Sequence, residues 1–440
     1  MKKIAALLLF VCANLIYGQI PNELSNEEKV FGLSQFWQEV NYSFIYFDKI
    51  DPTDWNNVYK EYIGKVQKTK NDYEYYRLLQ KFCAYLKDGH TNIWLPKEMR
   101  DNIYNTNFGA YRLFVTNVDG KAIITRVNKS KKAEIPIGTE IISVNGIKTK
   151  KYIDDYVWPY ISASTDYVRQ DLAVSYMLEG YIGREYELEL KLPNGSIESL
   201  TVTHARTIEK DVYPVFEDNE VVELKWYDDI AYLSLNSFND WETSIKFNEK
   251  VPELQKAKAL IIDLRNNGGG KERVGKVILH HLTNDTIFYG PKSQSRLYIP
   301  TLKAWNQERY YHDFPYRPDT LGIGDRNLLK TTRVVVPTAI LIGHGTASAA
   351  EDFLIYADKQ EHMIKIGQPT YGSTGMPLMF NLPNNGIARV CTKKDTYPDG
   401  REFVGVGIQP DIQVAKSLSD YIENKDPVLE KAIEYLNNKK

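Results

Sequence analysis

The chain has 440 residues, length enough for several domains at about 100–200 residues each. Hydrophobic residues make up 43% and charged residues 25%, with 27 Gly and 19 Pro, which excludes a fibrous, collagen-like or disordered chain. Lysine and arginine number 55 against 57 aspartate and glutamate, a balance that excludes the basic footprint of a nucleic-acid binder.

Residues 1–18, MKKIAALLLFVCANLIYG, place Lys2 and Lys3 before an apolar run from Ile4 to Ile16 and end on the small Gly18. That is the pattern of a secretory signal peptide cleaved after Gly18. The run falls short of the roughly 20 apolar residues that span a bilayer. A lipidated Cys12 is the alternative, although Phe10 and Val11 are bulky where a lipobox takes small residues. The mature chain is expected to be exported, periplasmic or extracellular, with no membrane span.

Residues 19–105 read as a helical segment, because Phe31, Phe36 and Val40, then Tyr75, Leu78, Leu79, Phe82 and Leu86, recur at helical spacing. Cys83 falls in that apolar pattern as a buried thiol. Its spacing from Cys391 leaves a disulfide between the two open. The stretch LKDGHTNIW, Leu86 to Trp94, breaks the helical pattern at Gly89 and carries His90. A histidine on a polar turn is ordinarily surface, but a neutral one oriented by a carboxylate suits serine activation.

Residues 106–207 change to short alternating strands such as AIITRV and YELELKL, with DG and NG turns between them. A small β domain is expected. Residues 208–440 alternate strands with helices, the pattern of a parallel sheet covered by helices. KALIIDL, Lys258 to Leu264, has the continuous apolar run of a strand buried on both faces. It ends in Arg265, Asn266, Asn267 and the glycines 268–270 before the helical ERVGKVILHHL. AILIGHG, Ala339 to Gly345, is a second such strand and feeds TASAAEDFLIYAD. Between the two units, residues 283–329 are rich in Tyr, Pro and charge without periodicity, and are expected as a lid or substrate-facing loop. Asp426 to Asn438 closes the chain as a short amphipathic helix.

Ser348 lies at a strand-to-helix junction, where reactive side chains gather in α/β sheets. Ser348 and Glu351 also form an S-x-x-E capping box, which alone accounts for both residues. The surroundings are not G-x-S-x-G. Glycines 268–270 offer free N–H groups to an anion, either a phosphate or an oxyanion, but neither G-x-G-x-x-G nor a P-loop Lys-Ser/Thr accompanies them. His344, four residues before Ser348, is a rival base to His90. The seven histidines include no HExxH and no Cys/His cluster, so neither a metal nor another cofactor is expected.

ALIIDLRNNGGG, HGTASAAEDF, GQPTYGSTG and GVGIQPDI together resemble, in order and spacing, the S41 peptidases, the tail-specific or C-terminal processing protease family. IPIGTEIISVNG, Ile135 to Gly146, resembles the PDZ-like domain that this family places ahead of its core, with Thr139 replacing the usual aspartate. The resemblance implies a multidomain α/β (α+β) chain: a helical N-terminal segment, a PDZ-like β domain, and a ClpP/crotonase-like α/β catalytic core. It implies Ser348 as nucleophile of a serine endopeptidase.

One branch of the family takes its base from a lysine in a GKG motif, where this chain has Ser373 in YGSTG. LKDGHTNIW instead resembles the D-G-H-T motif of the tricorn-like branch, which implies His90 as general base and Glu402, ahead of GIQPD, as its carboxylate. That branch carries a serine where Gly89 stands, so the relay is open among Asp88, Thr91 and Ser373. The oxyanion donors expected for such a mechanism are the N–H groups of Gly268, Gly269 and Ala349. The implied partner is a peptide or unfolded protein, captured by its C-terminus as an added strand. The other reading is a non-catalytic peptide- or lipid-binding protein on the same fold.

Overall fold

The computed structural model describes residues 23–216, 220–297, 300–305, 310–314, 325–327, 329–330 and 333–439. The expected signal peptide with Cys12, and much of 283–329, lie outside these. Among the described residues no helix is long and apolar enough to cross a membrane.

Three helices open the described residues: α1 (Asn26–Ser43), α2 (Pro52–Val66) and α3 (Asp72–Ala84). Each starts on a side-chain cap that satisfies otherwise orphaned N–H groups. Ser25 and Glu28 form a reciprocal box, Asp51 accepts from Thr53 and Asp54 ahead of Pro52, and Asn71 accepts from Glu74. Their apolar faces meet in an aromatic core where Trp55 stacks on Phe82 at 4.5 Å between ring centres. The Asp72 carboxylate accepts from Leu24 N–H and from Asn384 Nδ2, so the helices are tied to the far end of the sequence. The short strand β1 (Asn92–Trp94) follows the His90 turn.

A second hydrophobic core is built from residues between Phe108 and Val202. Its strands are β2 (Tyr111–Val118), β3 (Lys121–Asn128), β4 (Thr139–Val144), β5 (Glu185–Lys191) and β6 (Ile197–Thr203). They pair antiparallel in the order β6-β5-β4-β3-β2. In β5 the burial alternates strictly, as a half-covered strand requires. The helix α4 (Asp166–Ser175) packs along β2, a helix that the alternating strand pattern of this region does not announce.

A six-stranded sheet is formed by β7 (Val222–Tyr227), β8 (Ile230–Leu235), β9 (Ala259–Asp263), β10 (Thr338–Ile342), β11 (Met363–Gly367) and β14 (Ile412–Gln413), in that spatial order. All neighbours are parallel except β7 with β8. Every residue of β9 and β10 is buried, as their unbroken apolar runs require. Helix α5 (Glu272–His281) follows β9, α6 (Ala349–Ala357) follows β10, and α7 (Pro427–Asn437) covers the opposite face. Between them β12 (Leu378–Leu382) and β13 (Gly386–Val390) make a small antiparallel sheet with β1. That pairing carries His90 from the helical segment to the carboxyl end of β10.

The described part of 283–329 is not wholly loop. Residues 292–297 pair antiparallel with residues 393–396, and residues 310–314 pair on the other side. The partner strand lies about a hundred residues downstream, which a local periodicity cannot reveal.

Candidate active site

Every residue of α6 is buried, so the helix is anchored on all sides and holds the turn before it. Ser348 occupies the N-cap of α6 with φ 56° and ψ −124°. N-cap residues ordinarily sit in the β region, and a non-glycine residue at positive φ is strained. The strain is held from three directions. Ser348 N–H donates to the Glu351 carboxylate at 3.0 Å and to the Ser373 carbonyl at 3.2 Å, and Ala347 N–H donates to the Asn267 carbonyl at 3.0 Å. Gly269, at φ +97°, lies so close that a Cβ there would sit 2.6 Å from Ser348 Cβ.

His90 meets this serine across the chain. Its Nε2 is 3.3 Å from Ser348 Oγ, and its Nδ1 is 2.7 Å from Ser373 Oγ. The ring is only 8% exposed. Burial, then the positive charges of Arg389 and Lys393, push it down to about 3, so the imidazole is neutral at pH 7. Of the three relay candidates, Ser373 reaches the ring. Asp88 instead accepts from Thr91 Oγ1 at 2.6 Å and from Ser164 Oγ at 3.3 Å, and Thr91 Oγ1 accepts from Cys391 N–H at 3.1 Å. These two residues brace the loop that carries His90.

The expectation for Glu402 is not met. Its carboxylate pairs with Lys394 at the surface, with a side chain 53% exposed, and makes no hydrogen bond to His90 or Ser373. The hydrogen bond from Lys394 holds it below the usual carboxylate range. The carboxylate behind the dyad is Glu351, which the sequence offered only as a capping residue. It is fully buried and accepts from Ser348 N–H, Thr370 Oγ1, Gly372 N–H at 2.8 Å and Ser373 N–H at 3.2 Å. Burial nevertheless pushes it up to about 7. The S-x-x-E spacing announces the helix cap, but its second set of donors, from residues 370–373, leaves no local signal.

Among the proposed oxyanion donors, Gly269 N–H is already given to Asn267 Oδ1 at 2.9 Å. Gly268 and Ala349 N–H have no partner among the described residues, and Gly268 lines the cleft. His344 turns away from Ser348: its Nδ1 bonds Asp171, whose other oxygen accepts from Asn117 Nδ2 at 2.7 Å. Cys83 and Cys391 are both free and buried, and burial pushes the Cys83 thiol up to about 12, as for an unreactive thiol. A cleft of about 810 Å³ runs from His90 and Gly268 to the edge of β2 at Val115–Val118.

Residues 229–414 match the model of peptidase family S41. The carboxy-terminal processing protease CtpA of Bacillus subtilis is 24% identical over 73% of this chain and 59% of its own length. A carboxyl-terminal-processing protease of Picosynechococcus is 21% identical over 90% of this chain and 86% of its own length. The solved structure of mature CPAF shares the fold, with a TM-score of 0.65 at 14% identity over 94% of this chain and 96% of that one. A second structure, of mature CPAF complexed with lactacystin, gives a TM-score of 0.66 at 14% identity over 94% and 97%.

Proposed function

We propose that this chain, a member of peptidase family S41 through residues 229–414, is a serine endopeptidase that cleaves peptide bonds through an acyl-enzyme on Ser348. The observation that carries the reading is the 3.3 Å approach of His90 Nε2 to Ser348 Oγ, made by a histidine that is neutral and therefore able to take a proton. With Nδ1–H donated to Ser373 Oγ, the Nε2 lone pair faces the nucleophile. His90 accepts the Ser348 proton as Oγ attacks the carbonyl, and returns it to the leaving amine. Water then releases the acyl group by the same route. Such a base contributes about 10²–10⁴ in rate.

Gly268 and Ala349 N–H receive the oxyanion, each worth about 10²–10³ in rate. Glu351 grips the nucleophile's N–H and the relay's N–H in one carboxylate, so both are positioned from a single point. The substrate strand adds to β2 at 115–118, beyond the short outer pairing of Tyr111 and Arg112 with Phe108 and Asn107, where the strand opens on the cleft. A peptide C-terminus is the end so captured. Export on residues 1–18 completes the reading and places the enzyme in the periplasm or outside the cell.

The test is covalent labelling by a fluorophosphonate, with Ser348→Ala and His90→Ala as folded controls. Labelling of wild type alone is the expected result. A folded, unlabelled wild type would leave a non-catalytic peptide- or lipid-binding protein as the better account.

A further inference from the structure

Arg389 sits on β13 in register with Asn92 of β1 and Met379 of β12. Its guanidinium donates to Asn92 Oδ1 at 2.7 Å through Nε and to the Gly89 carbonyl at 3.2 Å through Nη2. It also lies 5.0 Å from the ring centre of Trp94. All of these partners are neutral. Among the described residues Arg389 forms no ion pair, although it is half-buried and lines the cleft beside His90, Gly268 and Tyr371. Its Nη1 has no hydrogen-bond partner there.

A half-buried guanidinium without an ion-pair partner has lost hydration that two neutral acceptors and an aromatic face return only in part. The acid near it is Asp88, but that carboxyl is buried, serves Thr91 and Ser164, and is pushed up by burial. Lys393, the other cation that acts on His90, is already paired with Asp395 at 2.9 Å. Of the two cations that act on His90, Arg389 is therefore the one without an ion pair among the described residues. It stands one residue's carbonyl away from the base, where it opposes the imidazolium that must form during acyl transfer.

The geometry points to Arg389 as the subsite for a substrate carboxylate, which it binds through the guanidinium edge facing the cleft. A carboxylate placed there supplies the missing counter-charge, gains a charge-assisted hydrogen bond, and relieves the opposition to a charged His90. The ligand chemistry is a carboxylate close to the scissile bond, either the free C-terminus of the peptide or an Asp or Glu side chain. The inference rests on the peptidase reading, and its test keeps the two apart.

Fluorophosphonate labelling of Ser348 is measured in competition with three peptides: N-acetyl-tetra-alanine as the free acid, the same peptide as its amide, and an amide with one alanine replaced by aspartate. Protection is expressed relative to each variant's own uncompeted rate, so a failure of the peptidase reading shows as absent labelling. The acid should protect at a concentration about ten- to a hundredfold below the amide, as a charge-assisted hydrogen bond allows. Protection by the aspartyl amide assigns the site to side chains as well; its absence assigns it to the C-terminus. Arg389→Gln should abolish the difference between acid and amide, and Arg389→Lys should keep part of it. Equal protection by acid and amide in wild type, or a preference that survives in folded Arg389→Gln, overturns the inference.

Discussion

Gly89 and Ser373 share one space: a Cβ on Gly89 would lie 2.9 Å from Ser373 Oγ, the hydroxyl that bonds His90 Nδ1. The hydroxyl at the His90 ring thus comes from a residue 283 positions away in sequence. The two residues are thus coupled, since a side chain at 89 and the relay at 373 cannot both be present.

Gly89→Ser should therefore not restore the pattern but damage it. The new Cβ would also stand 2.6 Å from Tyr371 Cε1, and overpacking of this kind costs about 1–3 kcal/mol. Thermal unfolding should show that loss, and labelling of Ser348 should fall with it. A variant labelled as fast as wild type would mean that Ser373 is dispensable.

Ser373→Ala removes the partner of Nδ1 while leaving the backbone N–H that Glu351 accepts. The expectation is a fall in kcat of about tenfold or more, short of the loss of the base itself, with KM little changed. Nitrogen-15 NMR of the histidines supplies a readout that a purely structural role would not move. In wild type His90 should be the Nδ1–H tautomer, and in the variant that preference should be lost.

His90 should not titrate near its ordinary 6.5, because burial, Arg389 and Lys393 hold it down to about 3. Its imidazole signals should stay constant from pH 7.5 to 5 in the Ser348→Ala protein. A midpoint near 6.5 would show that the ring is solvated and that the site is more open than described.

Glu351 bears on stability. Burial lifts it from 4.5 to about 7, against the pull of four donors. A carboxyl that holds its proton to higher pH folded than unfolded stabilises fully below 4.5 and loses that contribution as pH rises through about 7. Tm should therefore decline across this window. Glu351→Gln should flatten the decline and lower stability by about 1–3 kcal/mol, since its amide group presents N–H to donors that need an acceptor.

Gly269→Ala tests the floor of the site. At φ +97° alanine is strained, and its Cβ would lie 2.6 Å from Ser348 Cβ and 2.9 Å from Ala349 N. Displacement of Ala349 N–H, one of the two proposed oxyanion donors, should lower labelling by roughly 10²–10³. A normal rate would remove the glycine turn from the site.

The sequence by itself determined the parts that depend on local pattern. The buried strands around Leu260 and Ile340 show as unbroken apolar runs, the Ser348 turn shows as a strand meeting a capped helix, and His90 shows as a polar break in a helical period. What only the tertiary structure decided is which side chains meet. Glu351 was legible as a cap but not as the carboxylate that binds Ser348 and Ser373 together, because its second set of donors comes from residues 370–373. Glu402 precedes the right motif, yet Lys394 draws it to the surface. Arg389 carries no motif at all, and its lack of a counter-charge exists only where β13 lies beside β1. A backbone period records burial one residue at a time, whereas a hydrogen bond or a missing ion pair belongs to two distant segments at once.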